Sequence, residues 1–279
     1  MSASFSFSQV DVFSSEAHRG NPVAVVHDAD ALTVDQMACF ARWTNLSETT
    51  FLLTPTNNEA DYRLRIFTPG GELPFAGHPT LGSCHAWLEA GGEAKDSQVV
   101  VQECGAGLVR IRRSDQGLAF AAPPVLRSGV LESELLQRLM TALKLPEEAL
   151  VAHQWVDNGP GWCALQLDSA QRVLDVDPDM YGLGDARLGL VGAYPESAET
   201  DFEVRAFVPS LGVPEDPVTG SLNASIAQWL IREGRAPNSY VASQGTVMGR
   251  AGRIQVSSDN DAVWIGGQTK TCIHGSVIF

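Results

Sequence analysis

Apolar and polar positions along this chain change period repeatedly, and each change marks an element. Phe5–Phe13 and Pro22–Val26 read as strands, and Tyr62-Arg-Leu-Arg-Ile-Phe alternates strictly between two faces, predicting a strand over Tyr62–Thr68. Thr49–Leu53 is a further strand. Thr33–Trp43 has helical spacing, with Thr33 placed to cap its N-terminus. His78–Ala90 is apolar on every side (Leu81, Cys84, Ala86, Trp87, Leu88) and stops at Gly91-Gly92, so it predicts a helix buried all round. Val99–Gln102, Leu108–Arg113 and Leu118–Ala121 read as short strands, and Ala122-Pro123-Pro124 as a boundary.

The pattern then repeats. Tyr62-Arg-Leu-Arg-Ile-Phe-Thr-Pro69 resembles Phe202-Glu-Val-Arg-Ala-Phe-Val-Pro209, and each leads through a loop into an apolar helix containing a tryptophan: Trp87 in 78–90 and Trp229 in 220–232. Cys104-Gly-Ala-Gly-Leu-Val-Arg-Ile resembles the stretch from Gln244 to Ile254. The offset is about 140 residues throughout, half the chain, so one unit occurs twice. The expectation is an α+β protein of two pseudo-symmetric domains, each a curled, mostly antiparallel sheet or barrel wrapped around a central helix. Residues 1–122 would form one, with room to take the last strand, 270–279; residues 123–279 would form the other. Equivalent loop-to-helix junctions, related by a pseudo-two-fold axis, would then face a site between the halves.

Composition narrows the function. The 279 residues carry a formal charge of −14, which opposes a broad nucleic-acid surface or an anionic membrane as partner. No apolar run reaches the roughly 18 residues of a spanning helix. Met1 to Phe7 lacks the features of a secretion signal. The five cysteines are scattered with no C-x-x-C pair, as expected of reduced thiols in a cytoplasmic protein.

Three segments carry candidate chemistry. In Asn45-Leu-Ser-Glu-Thr-Thr-Phe51, Glu48 lies between a helix end and an apolar strand; it is either a solvated strand-edge carboxylate or one desolvated toward acid/base duty. In Glu72-Leu-Pro-Phe-Ala-Gly-His-Pro-Thr80, Gly77 allows close backbone approach, Pro79 suits a first helical turn, and first-turn amides favour an anion. His78 either caps the helix or relays a proton. In Glu215-Asp-Pro-Val-Thr-Gly-Ser221, Thr219, Gly220 and Ser221 offer amide and hydroxyl donors at a helix start, and Asp216 either caps it or contacts substrate. No metal-ligand spacing or nucleotide-binding glycine motif is present, so neither a metal nor a nucleotide cofactor is expected.

Together with Val10-Asp-Val-Phe…Gly20-Asn-Pro-Val-Ala-Val-Val26 and Gln244-Gly…Met248-Gly-Arg250, these segments resemble the PhzF-like isomerases of phenazine biosynthesis, within the diaminopimelate-epimerase-like fold. The resemblance implies a cofactor-independent isomerase and a homodimer. Its substrate would be a small carboxylate-bearing molecule, similar to trans-2,3-dihydro-3-hydroxyanthranilate. It also implies Glu48 as acid/base residue, and Gly77, His78, Asp216 and Ser221 match the family's substrate-contacting positions; His78 and Asp216 are expected to assist in proton movement, and Ser47, Thr219 and Gly220 to lie near the substrate. Epimerases of the wider fold use a cysteine at each helix start; here those stretches hold none, which disfavours that chemistry. A binding protein of the same fold without catalysis is the other reading. Specificity is expected in stretches such as Asp157–Trp162.

Overall fold

The computed structural model describes residues 3–211, 213–259 and 262–279; Met1 and Ser2, within the segment weighed above as a secretion signal, lie outside them. The chain divides into two compact units, Met1–Ala121 with Gly266–Phe279, and Ala122–Ile265.

In the first unit, β1 (Ser4–Val12) pairs antiparallel with β2 (Asn21–Val26). Between them the chain turns back sharply, and the Asp11 carboxylate accepts the N–H groups of Arg19 (2.7 Å) and Gly20 (2.9 Å). Gly20 has no room for a side chain, since a Cβ would fall 2.2 Å from the Val12 carbonyl oxygen. Helix α1 (Val34–Thr44) starts at a capping box, in which Thr33 and Gln36 satisfy each other's backbone N–H, and stops where Asn45 turns left-handed (φ 54°). It carries the chain to β3 (Thr49–Leu53), parallel to β2. β4 (Tyr62–Thr68) follows antiparallel, then β5 (Gly71–Leu73), helix α2 (Gly77–Glu89), β6 (Val99–Cys104) parallel to β4, and the meander β7 (Gly107–Ser114) and β8 (Gly117–Ala121).

α2 packs against β1, β2, β3, β4, β6 and β8. That enclosure is why its sequence has no polar face. A helix so enclosed needs small residues where sheets press closest: a Cβ on Gly82 would meet Val23 at 2.4 Å and Val12 at 2.9 Å.

The second unit opens with β9 (Arg127–Gly129), α3 (Ser133–Ala142), β10 (Leu150–Asp157) and β11 (Trp162–Leu167). Helices α4 (Ala170–Asp175) and α5 (Met180–Leu183) lead to β12 (Arg187–Ala193), parallel to β11. β13 (Phe202–Val208) and β14 (Val213–Asp216) form an antiparallel hairpin before α6 (Gly220–Arg232), and β15 (Ser239–Gln244) returns parallel to β13 and pairs with β16 (Gly252–Ser258). The order and sense of pairing repeat those from β2 to β7. After β17 (Val263–Gly267), β18 (Thr269–Ile278) pairs antiparallel with β1 and also touches α2.

The repeated Arg-x-Phe of the two sequence halves has a structural meaning. Arg65 on β4 binds Glu72 on β5 and lies over Phe67, 5.3 Å from its centroid; Arg205 on β13 binds Glu215 on β14 through two 2.9 Å hydrogen bonds and lies over Phe207 at 4.8 Å. Each pair fastens the hairpin that feeds a central helix. The Arg205 pair is buried and its guanidinium also reaches the Val173 and Val176 carbonyls, so every charge there is answered by hydrogen bonds.

Leu81, wholly buried on α2, tests the enclosure. Leu81→Ala removes core contacts on several sides and is expected to lower stability by about 2–5 kcal/mol in urea denaturation. A loss well under ~1 kcal/mol would contradict a helix packed all round.

Candidate functional site

In the first unit, three elements place the acid/base candidates. The left-handed turn at Asn45 ends α1 and leaves Leu46–Glu48 as a short link into β3, which locks at Thr49 and Thr50: Thr49 bonds Thr44 (2.9 Å), and Thr50 reaches Ser83 on α2 (2.8 Å) and the Ala24 carbonyl (3.1 Å). Glu48, its side chain 16% exposed, therefore points from the β3 entry toward the α2 start, and its Oε2 lies 3.3 Å from His78 Nε2. His78 is 6% exposed, and its Nδ1 is 3.4 Å from the Asn21 amide nitrogen. α2 is tied to the sheet one residue beyond Pro79, where Thr80 accepts from Gln102 (3.1 Å), which in turn accepts from Tyr62 (2.9 Å).

Burial pushes the His78 imidazole down to about 3, against a hydrogen bond with the Pro22 backbone that favours the proton. The ring is thus neutral at pH 7, and the 3.3 Å contact joins a carboxyl group to an uncharged imidazole rather than to a cation. Such a ring lies against the carboxyl group without pinning it as an ion-paired carboxylate. Ser47, half-buried, precedes Glu48 in the same link.

Gly77 departs from the expected reason for a glycine. A Cβ there would meet the Phe120 ring at 2.5 Å, so close packing of Phe120 against the helix start excludes a side chain. The first-turn amides of Gly77 and His78 still have no partner within the helix by its geometry.

In the second unit, Asp216 ends β14 and the chain enters α6 at Thr219. Here one expectation changes. Thr219 does not offer its donors outward: its N–H goes to Gln244 Oε1 (3.0 Å), and its hydroxyl donates to Asp216 Oδ2 through a short hydrogen bond. Ser221 differs, because its hydroxyl oxygen accepts from Trp162 Nε1 (3.0 Å) and keeps its proton to donate, and its carbonyl accepts from Asn158 (2.9 Å). The 157–162 stretch, singled out for specificity, therefore touches the first turn of α6; Asp157 holds its bend by accepting from Gly159 (2.8 Å) and Gly161 (2.6 Å). Gly220 is buried at the helix start.

Neither helix start carries a thiol. Cys84 lies within α2 and Cys163 on β11, and burial pushes both thiols up to about 12, so neither is a ready thiolate. Among the described residues no cluster of three or more His, Cys, Asp and Glu is arranged to hold a metal ion, and no helix is long and apolar enough to cross a membrane. Sequence reasoning missed Asn21 and Gln244. Both sit inside quoted motifs, but each acts on a residue far along the chain.

The sequence profile of the phenazine biosynthesis-like proteins (PhzC-PhzF) matches residues 10–275. The chain is 40% identical to antisense-enhancing sequence 1 of Schizosaccharomyces pombe, across 97% of both chains. It is 33% identical to the trans-2,3-dihydro-3-hydroxyanthranilate isomerase of Pseudomonas aeruginosa, over 90% of this chain and 89% of that protein. A crystal structure of a phenazine biosynthesis protein of the PhzF family from Enterococcus faecalis is similar at a TM-score of 0.82 and 25% identity, covering 99% of each chain.

The neutral ring has a consequence for stability. The folded imidazole titrates near 3 and the free group near 6.5. Between those values the unfolded chain holds a proton that the folded chain does not, so acid favours unfolding across that window. Urea denaturation from pH 7 down to 4 is expected to show stability falling, and His78→Gln to remove part of the fall. Identical pH slopes for the two proteins would contradict a buried neutral His78.

Proposed function

The chain belongs to the phenazine biosynthesis-like family and is an isomerase of the diaminopimelate-epimerase-like α+β fold, and from that premise we propose that it moves a proton between two carbons of a small carboxylate-bearing substrate, with Glu48 as the single acid/base. The observation that carries this reading is the contact of Glu48 with a buried, uncharged His78 at the mouth of α2.

A carbon next to a double bond or carboxyl group loses a proton to a carboxylate when the resulting charge can spread over the conjugated system. Glu48 as carboxylate takes that proton and becomes the acid. Returned to a different carbon, the same proton completes an isomerisation with no net oxidation or reduction, so the reaction needs no redox cofactor. Both steps use one carboxyl group, and the neutral His78 keeps it aimed while it changes between base and acid. Asp216, Ser221 and the amides of Gly77 and Gly220 are proposed as substrate contacts, the first-turn amides meeting the substrate's carboxylate. Thr219 is assigned to holding Asp216 rather than to the substrate. The reading extends to a cytoplasmic homodimer acting on a molecule similar to trans-2,3-dihydro-3-hydroxyanthranilate, with no nucleic-acid or membrane partner.

Turnover of trans-2,3-dihydro-3-hydroxyanthranilate and of a panel of related ring carboxylates tests the assignment. Glu48→Gln is expected to lower kcat by at least about 10³-fold, in the range of general acid/base contributions, while substrate binding by calorimetry persists. His78→Gln is expected to cost about 10–100-fold. Wild-type binding without turnover across the panel would instead favour a binding protein.

A further inference from the structure

Gln244 belongs to a sequence motif that the acid/base chemistry does not use. It lies at the end of β15 and is completely buried. Its Oε1 accepts from the Thr219 N–H (3.0 Å) and from Asn223 Nδ2 (2.8 Å); its Nε2 donates to the Asp216 carbonyl (3.1 Å) and to Thr219 Oγ1 (3.0 Å). All four hydrogen bonds go to the segment 216–223, which contains the end of β14 and the first turn of α6. The side-chain orientation is fixed by chemistry, because only the oxygen can face a backbone N–H.

Two features make this more than packing. α6 has no capping side chain of its own at Thr219, so Gln244 reaches across from another strand to satisfy an amide that the helix leaves open. In addition, donation from Nε2 occupies a lone pair of Thr219 Oγ1 and leaves that hydroxyl's proton to go elsewhere. It goes to Asp216 Oδ2. Asn223 adds a bond from its amide to the Thr219 carbonyl (2.9 Å), and a Cβ on Gly245, next to Gln244, would fall 2.6 Å from the Pro217 carbonyl oxygen, which keeps the strand end against this segment.

We propose that Gln244 is a positioning residue: it caps α6 from outside the helix and sets the direction of the Thr219 hydroxyl, so that Thr219 donates to Asp216 and fixes that carboxylate. The inference rests on the assignment of Asp216 as a substrate contact for its effect on turnover, though not for its effect on the helix start.

Isosteric variants separate the two roles. Gln244→Leu has no acceptor for Thr219 N–H. Gln244→Glu keeps that acceptor, but as a carboxylate it has no proton to give Thr219 and competes with Asp216 for the hydroxyl. Thr219→Val removes the hydroxyl while retaining the shape. Hydrogen exchange read by mass spectrometry on the full chain should show the amides around Thr219 exchanging at least about tenfold faster in Gln244→Leu and near the wild-type rate in Gln244→Glu. With trans-2,3-dihydro-3-hydroxyanthranilate as probe, Gln244→Glu should lose at least about tenfold in kcat at pH 8 and regain it toward pH 6 as the new carboxyl takes up a proton. Thr219→Val should be impaired at every pH.

Unchanged exchange in Gln244→Leu, or a wild-type pH profile in Gln244→Glu, would overturn the proposal. If the wild-type protein does not turn over this probe, the substrate assignment fails, and the exchange rates still decide whether Gln244 holds the helix start.

Discussion

Each unit of this protein is organised by a 13-residue helix with almost no polar face. Enclosing such a helix removes its side chains from water, which stabilises the fold, but it also buries the first turn, whose N–H groups have no acceptors within the helix. A buried helix start must be met by something polar. The candidate site residues gather at these two helix starts.

The two units surround their helix starts with different groups. At α2 the entry is built from Glu48, His78 and Asn21, brought together by the β2–α1–β3 crossover and by the turn that Asp11 fixes ahead of β2. The local cost is a histidine that burial keeps uncharged, the condition on which the proposed acid/base reading rests. At α6 the entry is satisfied internally: Gln244 takes the Thr219 amide and sets the hydroxyl that holds Asp216. One start sets a carboxyl group against an uncharged imidazole, the other holds a carboxylate with a threonine hydroxyl. Beneath both, an Arg–Glu pair fastens the preceding hairpin, so the copies share a frame and differ in the groups mounted on it.

The frame was largely legible in the sequence because it is periodic. Alternation identifies β4 over Tyr62–Thr68, the all-apolar runs identify the two central helices, and the recurrence of Arg-x-Phe before each helix shows the duplication. Tertiary pairing was not legible from period. The last strand, 270–279, could be allowed to the first half, but its partner β1 lies at the opposite end of the chain and no period names it; α4, only six residues long, is too short for its spacing to stand out. At the site, Glu48 and His78 could be named from their segments, but the neutrality of His78 depends on enclosure by distant strands. Gly77 and Thr219 show the limit most clearly. A glycine required by the packing of Phe120 looks, in one dimension, the same as one required by a ligand, and a threonine whose donors are both used by Gln244 and Asp216 the same as one left open.

The central claim is that a single carboxyl group carries the proton from one carbon to another. Its most direct measurement is proton NMR of the product formed in D₂O under single-turnover conditions with trans-2,3-dihydro-3-hydroxyanthranilate. A Glu48 shuttle predicts that isotope enters only at the carbon that receives the proton, at less than one deuteron per turnover where delivery outpaces exchange with solvent, and that Glu48→Gln yields no product. Product formed by Glu48→Gln at a rate near wild type, with the same labelling, would contradict it.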